Sequence, residues 1–276
     1  MLKKMFYIGR DFQIHINRKN ISAFAASTAF FLFVSLIPIL VLLCAVIPYT
    51  TLTKANLMTF MTDITPDVVD SLVISIIEDV YAKSAGIISI AAVTLLWSAS
   101  KGMLALIRGM NEINDVEENR NYFVLRAIAS FYTVLLLVVV LLSLIVMVFG
   151  NALVNVIIRT IPQTEPFFDF LLNFRLLFSL LVMIVGFSMM YAYIPNKKLR
   201  FLYQIPGAVF SAALWNVFSW AFSIYVGKIN DFSTYGNLAT IVIIMLWMYM
   251  CIYIILIGAY LNRYFEPVYQ FLDDGR

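Results

Sequence analysis

"LLWSASKGMLALIRG", Leu95 to Gly109, sets a lysine well inside a largely apolar run. The run reads as a membrane-spanning helix, and Lys101 is the residue in it that asks for a reason. The whole chain supports that reading. Of 276 residues, 62% are hydrophobic and 13% charged, with a mean hydropathy of +0.91, against roughly 45–50% apolar and about 25% charged in ordinary soluble domains. This is the composition of an integral membrane protein, and the long apolar segments that follow make the expected fold all-α. The net charge of +3 is too small to point to nucleic acid. Cys44 and Cys251 lie in apolar runs with no spacing that suggests a disulfide or a metal site, and are expected to be inert thiols.

A bilayer crossing takes about 20 mostly apolar residues, and six segments qualify: Ser22 to Tyr49, Ala85 to Arg108, Tyr122 to Phe149, Leu171 to Ile194, Ile205 to Val226, and Tyr235 to Tyr260. The first run starts too late and is too long for a cleavable signal, so it is expected to stay as an anchor. Lys3, Lys4, Arg10, Arg18, Lys19, Arg108, Arg120, Arg126, Lys197, Lys198 and Arg200 gather on one side of these spans. The positive-inside rule then puts both termini in the cytoplasm. The expected organisation is a single membrane domain over 1–276, with an interfacial arm at 1–21, the bundle at 22–262 and a cytoplasmic tail at 263–276.

Two stretches are expected to lie along the membrane instead of crossing it. "TPDVVDSLVISIIEDVY", Thr65 to Tyr81, offers an N-cap threonine, a proline at the first helical position and an apolar stripe opposite acidic residues. It reads as an outer amphipathic helix between spans one and two. The N-terminal arm mixes aromatic and basic residues suited to anionic headgroups. Three spans in each half would make the halves inverted with respect to each other, as in many transporters. "AVIP" at Ala45 to Pro48 and "AYIP" at Ala192 to Pro195 close the first span of each half.

The polar residues within the spans are the candidates for function. Lys101 lies one to two turns from the expected cytoplasmic edge, near enough to snorkel. No span supplies it an obvious carboxylate, so the other reading is a transient anion such as a lipid phosphate. Arg108, seven residues on, and Ser98 share its face, and Glu112 is placed as the i+4 partner of Arg108. Pro38, with Ser35, kinks the first span or lines a cavity there. Ser98, Ser100 and Asn216 are expected to bond between helices. Tyr122, Tyr193, Tyr225 and Tyr260 stand near span ends, as an interfacial belt would.

Other chemistries are set aside. His15 is the single histidine, which leaves no His-rich metal site. No phosphate-cradling glycine motif and no intramembrane aspartate pair occurs, and nothing calls for a cofactor. The aromatic, basic surface that RNA binding needs is missing. "NEINDVEENR", Asn111 to Arg120, reads as a solvated charge run.

"AASTAFFLFVSLIPIL", the opening stretch, and the long block from Tyr193 to Asn262 together resemble the YihY/BrkB family of bacterial inner-membrane proteins. The resemblance is carried by Ala26, Ser35, Pro38, Trp97, Ser98 and Gly102, then by Pro195, Pro206, Gly207, Ala208, Trp215 and Tyr225, and finally by Tyr235, Gly236, Trp247, Gly258, Ala259 and Asn262. It implies a six-helix fold in the bacterial cytoplasmic membrane. The family has carried a ribonuclease label, which the residue inventory does not support, and a virulence-factor label that names no activity. Lys101 is outside that pattern. The sequence thus points to a non-enzymatic transporter or flippase-like handler of an anionic amphiphile, with membrane lipids as partners. Lys101, Arg108 and Ser98 would face a cavity bordered by Pro38 and the Tyr235-Gly236 turn. The competing reading is a membrane scaffold or assembly factor.

Overall fold

The computed structural model describes residues 18–46, 85–161, 175–228 and 237–274, with the isolated positions Ile14, Ile16, Met58, Ile74, Glu78 and Gln163. The expected outer helix at Thr65 to Tyr81, most of the N-terminal arm, and the Tyr235-Gly236 turn lie outside the described residues. Six long helices carry the described chain: α1 Ile21–Val46, α2 Ala85–Ile113, α3 Tyr122–Thr160, α4 Arg175–Tyr193, α5 Ile205–Lys228 and α6 Asn237–Asp274. A short 3-10 turn, Phe201–Gln204, leads into α5. No strand occurs among the described residues.

By length and composition, windows at Tyr122–Val139, Phe201–Gly227 and Thr240–Glu266 suffice to cross a membrane, and Ile21–Leu36 and Leu177–Tyr193 are shorter apolar helices. Three helices outrun the apolar segments expected from sequence by five residues or more. α2 continues five residues past Arg108, α3 runs to Thr160, and α6 carries on through most of the stretch expected to be a tail. Apolar content marks where a helix meets hydrocarbon, whereas backbone hydrogen bonding decides where it stops.

The end of α2 illustrates this. Asp115 adopts a left-handed φ of 53°. Around it Val116 N–H reaches the Asn111 carbonyl at 3.0 Å and Asp115 N–H reaches that of Glu112 at 3.4 Å. This is the paired 6→1 and 5→2 closure usually built on glycine, with an aspartate in its place. α3 restarts at Asn121, whose side-chain oxygen accepts from Phe123 N–H.

α1 and α2 pack most closely, α6 lies against both α1 and α5, α3 against α2, and α4 against α5. Small residues permit the close approach. A Cβ on Gly102 would stand 3.2 Å from the Thr28 carbonyl, and one on Gly109 would meet Phe24 at 2.9 Å. The described core gathers at the end of the bundle where the 114–121 and 194–200 loops lie, with Ile107, Met110, Ile113, Tyr191 and Leu256 at its centre. Cys251 is buried as a free thiol.

Two expectations change. Tyr260, expected in the interfacial belt, is 5% exposed and part of this core, because α6 does not end at 260 but continues past it. Among the described residues Ser98 and Ser100 do not bond between helices: their hydroxyls donate to the Thr94 and Trp97 carbonyls of their own helix, at 2.8 and 3.2 Å. Helical serine reaches the preceding turn more easily than a neighbouring helix. Asn216 does both, donating to the Ala212 carbonyl at 2.8 Å and reaching Met183 sulfur on α4 at 3.5 Å.

Candidate functional site

Lys101 does not stand alone on α2. Its Nζ lies 5.4 Å from the Phe31 ring centroid on α1 and 5.6 Å from that of Trp97, one turn earlier on its own helix. Arg126, near the start of α3, lies over the same indole at 4.6 Å and donates to the Trp97 carbonyl at 2.9 Å. Trp97 itself is 57% exposed. A single indole on the outer face therefore holds two cations from two helices. Each cation–π contact is worth about 0.5–2 kcal/mol. Neither cation has a carboxylate partner among the described residues, and Lys101 has no hydrogen-bond acceptor among them. Along α2, Lys101 is about 15 Å from Asn111, where the polar loop begins.

Arg108 is in different company. It borders a cavity of about 520 Å³ together with Glu112, Asp115, Glu117 and Glu118. No ion pair joins it to Glu112 among the described residues, but carboxylates surround it. The sequence grouped Arg108 with Lys101 as a candidate anion ligand; the structure also brings Arg126 to the Trp97 ring that Lys101 faces. Pro38 remains inside α1, with the Ser35 hydroxyl turned back to the Leu32 carbonyl at 2.6 Å.

The expected charge run at Asn111 to Arg120 is a folded polar knot. Asn111, 3% exposed, accepts the Asn196 N–H at 2.8 Å and donates to Glu118 at 2.7 Å. Arg120 grips both oxygens of Glu118, at 2.7 and 2.5 Å, and this guanidinium foremost holds the Glu118 carboxyl below its ordinary pKa. Asp115 is hydrogen-bonded by Lys19 and faces Arg263 of α6 at 3.5 Å. The Lys19 bond foremost lowers its pKa as well. The knot ties the α2–α3 loop to the chain before α1, to the loop after α4, and to α6. No group of three or more potential metal ligands occurs among the described residues.

Pro206, Gly207, Gly258 and Asn262, four residues of the family pattern, meet at one helix crossing. α5 begins at Ile205, so its first N–H groups lack partners within the helix. Ile205 N–H turns back to the Leu202 carbonyl, Pro206 has no N–H, and Gly207 N–H is accepted by Asn262 Oδ1 from α6 at 2.7 Å. Asn262 Nδ2 donates to the backbone carbonyl and side-chain oxygen of Gln204, at 3.0 and 3.1 Å. One turn further in, the hydroxyl of Tyr191, 1% exposed, lies 2.8 Å from both Ser211 Oγ and the Ile255 carbonyl. Trp215 packs on Trp247 and Phe187 at centroid distances of 6.0 and 5.8 Å. Above Asn262 another cavity, about 350 Å³, opens among Lys197, Lys198, Arg200, Tyr203, Arg263 and Glu266.

A profile described as Virulence factor BrkB matches residues 13–274. The chain belongs to the BrkB virulence-factor family. It is 32% identical over 240 residues to YfkH of Bacillus subtilis, whose name calls it ribonuclease-like; the match spans 86% of this chain and 87% of YfkH. It is 34% identical over 87 residues to UPF0761 membrane protein PSHAa0171 of Pseudoalteromonas translucida, covering 31% of this chain and 29% of that one. To UPF0761 membrane protein IL2447 of Idiomarina loihiensis it is 39% identical over 79 residues, 28% of each chain. No solved structure matches. With its apolar helices, this BrkB chain is a membrane protein.

Sequence reasoning missed Arg126 as a partner of Trp97 and Tyr191 as a core hydroxyl. The Arg126 contact gives no local signal, since Trp97 and Arg126 are 29 residues apart. Tyr191 reads in sequence like any other tyrosine in an aromatic-rich helix.

Proposed function

We propose that this BrkB protein crosses the bacterial cytoplasmic membrane six times, with both termini in the cytoplasm. There it handles an anionic amphiphile as a transporter or flippase-like protein, without enzymatic chemistry. The observation that supports this is the pair of cations, Lys101 and Arg126, on the exposed Trp97 with no carboxylate among the described residues to neutralise them. A lysine within a span costs about 2.5–3.5 kcal/mol on insertion scales. Two cation–π contacts offset part of that, but they leave the ammonium's three N–H donors without an acceptor. Arg126 spends one of its five N–H donors on the Trp97 carbonyl, and the others have no acceptor among the described residues. A phosphate or carboxylate headgroup at the exposed indole supplies the missing acceptors, and its acyl chains lie where the helix surface is apolar. Met189, Leu181 and Val185 on α4 give the bundle another such lipid-facing stripe. The nuclease word in the name of YfkH is not carried over, since the one histidine of this chain, His15, leaves little for acid–base chemistry on RNA.

Native mass spectrometry of the purified protein tests the binding, and a vesicle assay of lipid transfer between leaflets tests the handling. Phosphatidylglycerol occupancy should fall severalfold in Lys101→Met and stay partly in Lys101→Arg, where charge persists with altered geometry. Equal occupancy in wild type and Lys101→Met defeats the site. Binding without transfer above protein-free vesicles moves the protein to the scaffold reading.

A further inference from the structure

We propose that the 350 Å³ cavity above Asn262 is a binding site for a phosphate ester, entered from the side of the 194–200 loop and independent of the Trp97 site. Its volume falls within the range of small-molecule pockets, about 300–1,000 Å³. Its walls carry four cations, Lys197, Lys198, Arg200 and Arg263, against one carboxylate, Glu266, which is already engaged by Arg263. Arg200 is braced over the Tyr203 ring at 5.4 Å and donates to its hydroxyl at 2.9 Å. Lys197 and Lys198 are exposed and have no ion-pair partner among the described residues.

The floor is built, not merely open. Asn262 and Gln204, 4% and 7% exposed, are locked to each other and to the first turn of α5. A fixed polar floor under a ring of cations suits a compact multivalent anion. Two ammonium groups act as point charges and the guanidinium groups as planar forks, a combination suited to phosphate oxygens. A monovalent carboxylate would leave most of that charge unanswered. The shared chemistry is therefore a phosphate monoester, supplied by a soluble phosphorylated metabolite or by the headgroup of an inner-leaflet lipid such as phosphatidic acid.

The test uses the full chain in nanodiscs of zwitterionic lipid, titrated calorimetrically at low ionic strength with glycerol 1-phosphate and, separately, with acetate. A further arm measures phosphatidic acid retention by native mass spectrometry in the Lys101→Met background, which removes the Trp97 site. The variant is Lys197→Gln/Lys198→Gln, two exposed changes that leave the floor intact, with Lys197→Arg/Lys198→Arg as rescue and Arg159→Gln as a charge control elsewhere. Glycerol 1-phosphate binding that weakens tenfold or more in the double glutamine variant, but not in Arg159→Gln, supports the site with a soluble source. Retention of phosphatidic acid alone, lost in the same variant, supports it with a lipid source. Acetate binding as tight as glycerol 1-phosphate, or no difference between wild type and the double glutamine variant in both arms, overturns the proposal.

Discussion

Gly207 and Asn262 are joined across the α5–α6 crossing, the backbone N–H of one on the side-chain oxygen of the other at 2.7 Å, and the contact tolerates no side chain at 207. A Cβ there would stand 2.1 Å from the Gly258 carbonyl and 2.6 Å from Asn262 Cγ; one on Gly258 would stand 1.9 Å from Ser211 Oγ and 2.7 Å from the Gly207 carbonyl. Backbone cannot move aside as a flexible side-chain tip can. Gly207→Ala and Gly258→Ala are therefore expected to destabilise by at least the ~1–3 kcal/mol of an overpacked core. Gly186→Ala, with nothing within 4 Å, should be neutral or stabilise by up to about 1 kcal/mol through helix propensity. Thermal unfolding in detergent ranks the three, and a Gly207→Ala protein as stable as Gly186→Ala would refute the crossing.

The polar knot predicts an acid-sensitive fold. Asp115 is held below the ordinary carboxylate range, foremost by the hydrogen bond from Lys19, and Glu118 foremost by that from Arg120. A carboxyl with a lowered folded pKa binds its proton more readily when unfolded. Its stabilisation is complete above the ordinary value, about 4, and is lost as pH falls through the folded value. Both ion pairs reach solvent, so the effect is modest. The melting temperature should drop on acidification below about pH 4, and less so in Asp115→Asn/Glu118→Gln. Asparagine keeps the left-handed turn at 115. An acid response identical in the double variant assigns the effect to other carboxylates.

How much of this was legible depends on the kind of interaction. Apolar runs gave the helices, since α1, α2, α3 and α5 begin within a residue of the expected segments. The far end of α2 was misread, because the turn at Asp115 is a hydrogen-bond closure and not a change in hydropathy. Gly207 and Asn262 were picked out by family resemblance, but their pairing required knowing that α5 and α6 cross there. Arg126 was visible only as a loop-flanking charge. Its use depends on the angle at which α3 returns along α2, which no spacing encodes. Asn111 and Glu118 read as solvated polar residues because the partner that orders Asn111, the N–H of Asn196, belongs to another loop.

Membrane topology is the next expectation. Single cysteines at Thr65 and Lys198, in a background lacking Cys44 and Cys251, should react with impermeant maleimide from opposite sides. Lys198 is preferred to Asn196 because Asn196 is engaged by Asn111 and Glu117, whereas Lys198 is exposed. Labelling of both from one side would exclude the six-span arrangement.

The remaining prediction concerns what holds Lys101 in its helix. A snorkelling lysine owes nothing to Trp97, and its replacement by methionine should have the same effect whether or not the indole is present. A lysine held by the ring quadrupole is coupled to it. In a double-mutant cycle of Lys101→Met and Trp97→Leu, followed by unfolding in detergent, the two changes should be non-additive by about 0.5–1 kcal/mol, the scale of an exposed cation–π contact. Trp97 is largely exposed, so leucine there opens no core cavity to obscure the result. Arg126 should register the loss of the indole too, and Arg126→Gln with Trp97→Leu forms a parallel cycle whose coupling adds the guanidinium's stacking on the same ring. Additivity within error in the Lys101 cycle returns the lysine to the headgroup region and removes the reason for placing an anion at Trp97.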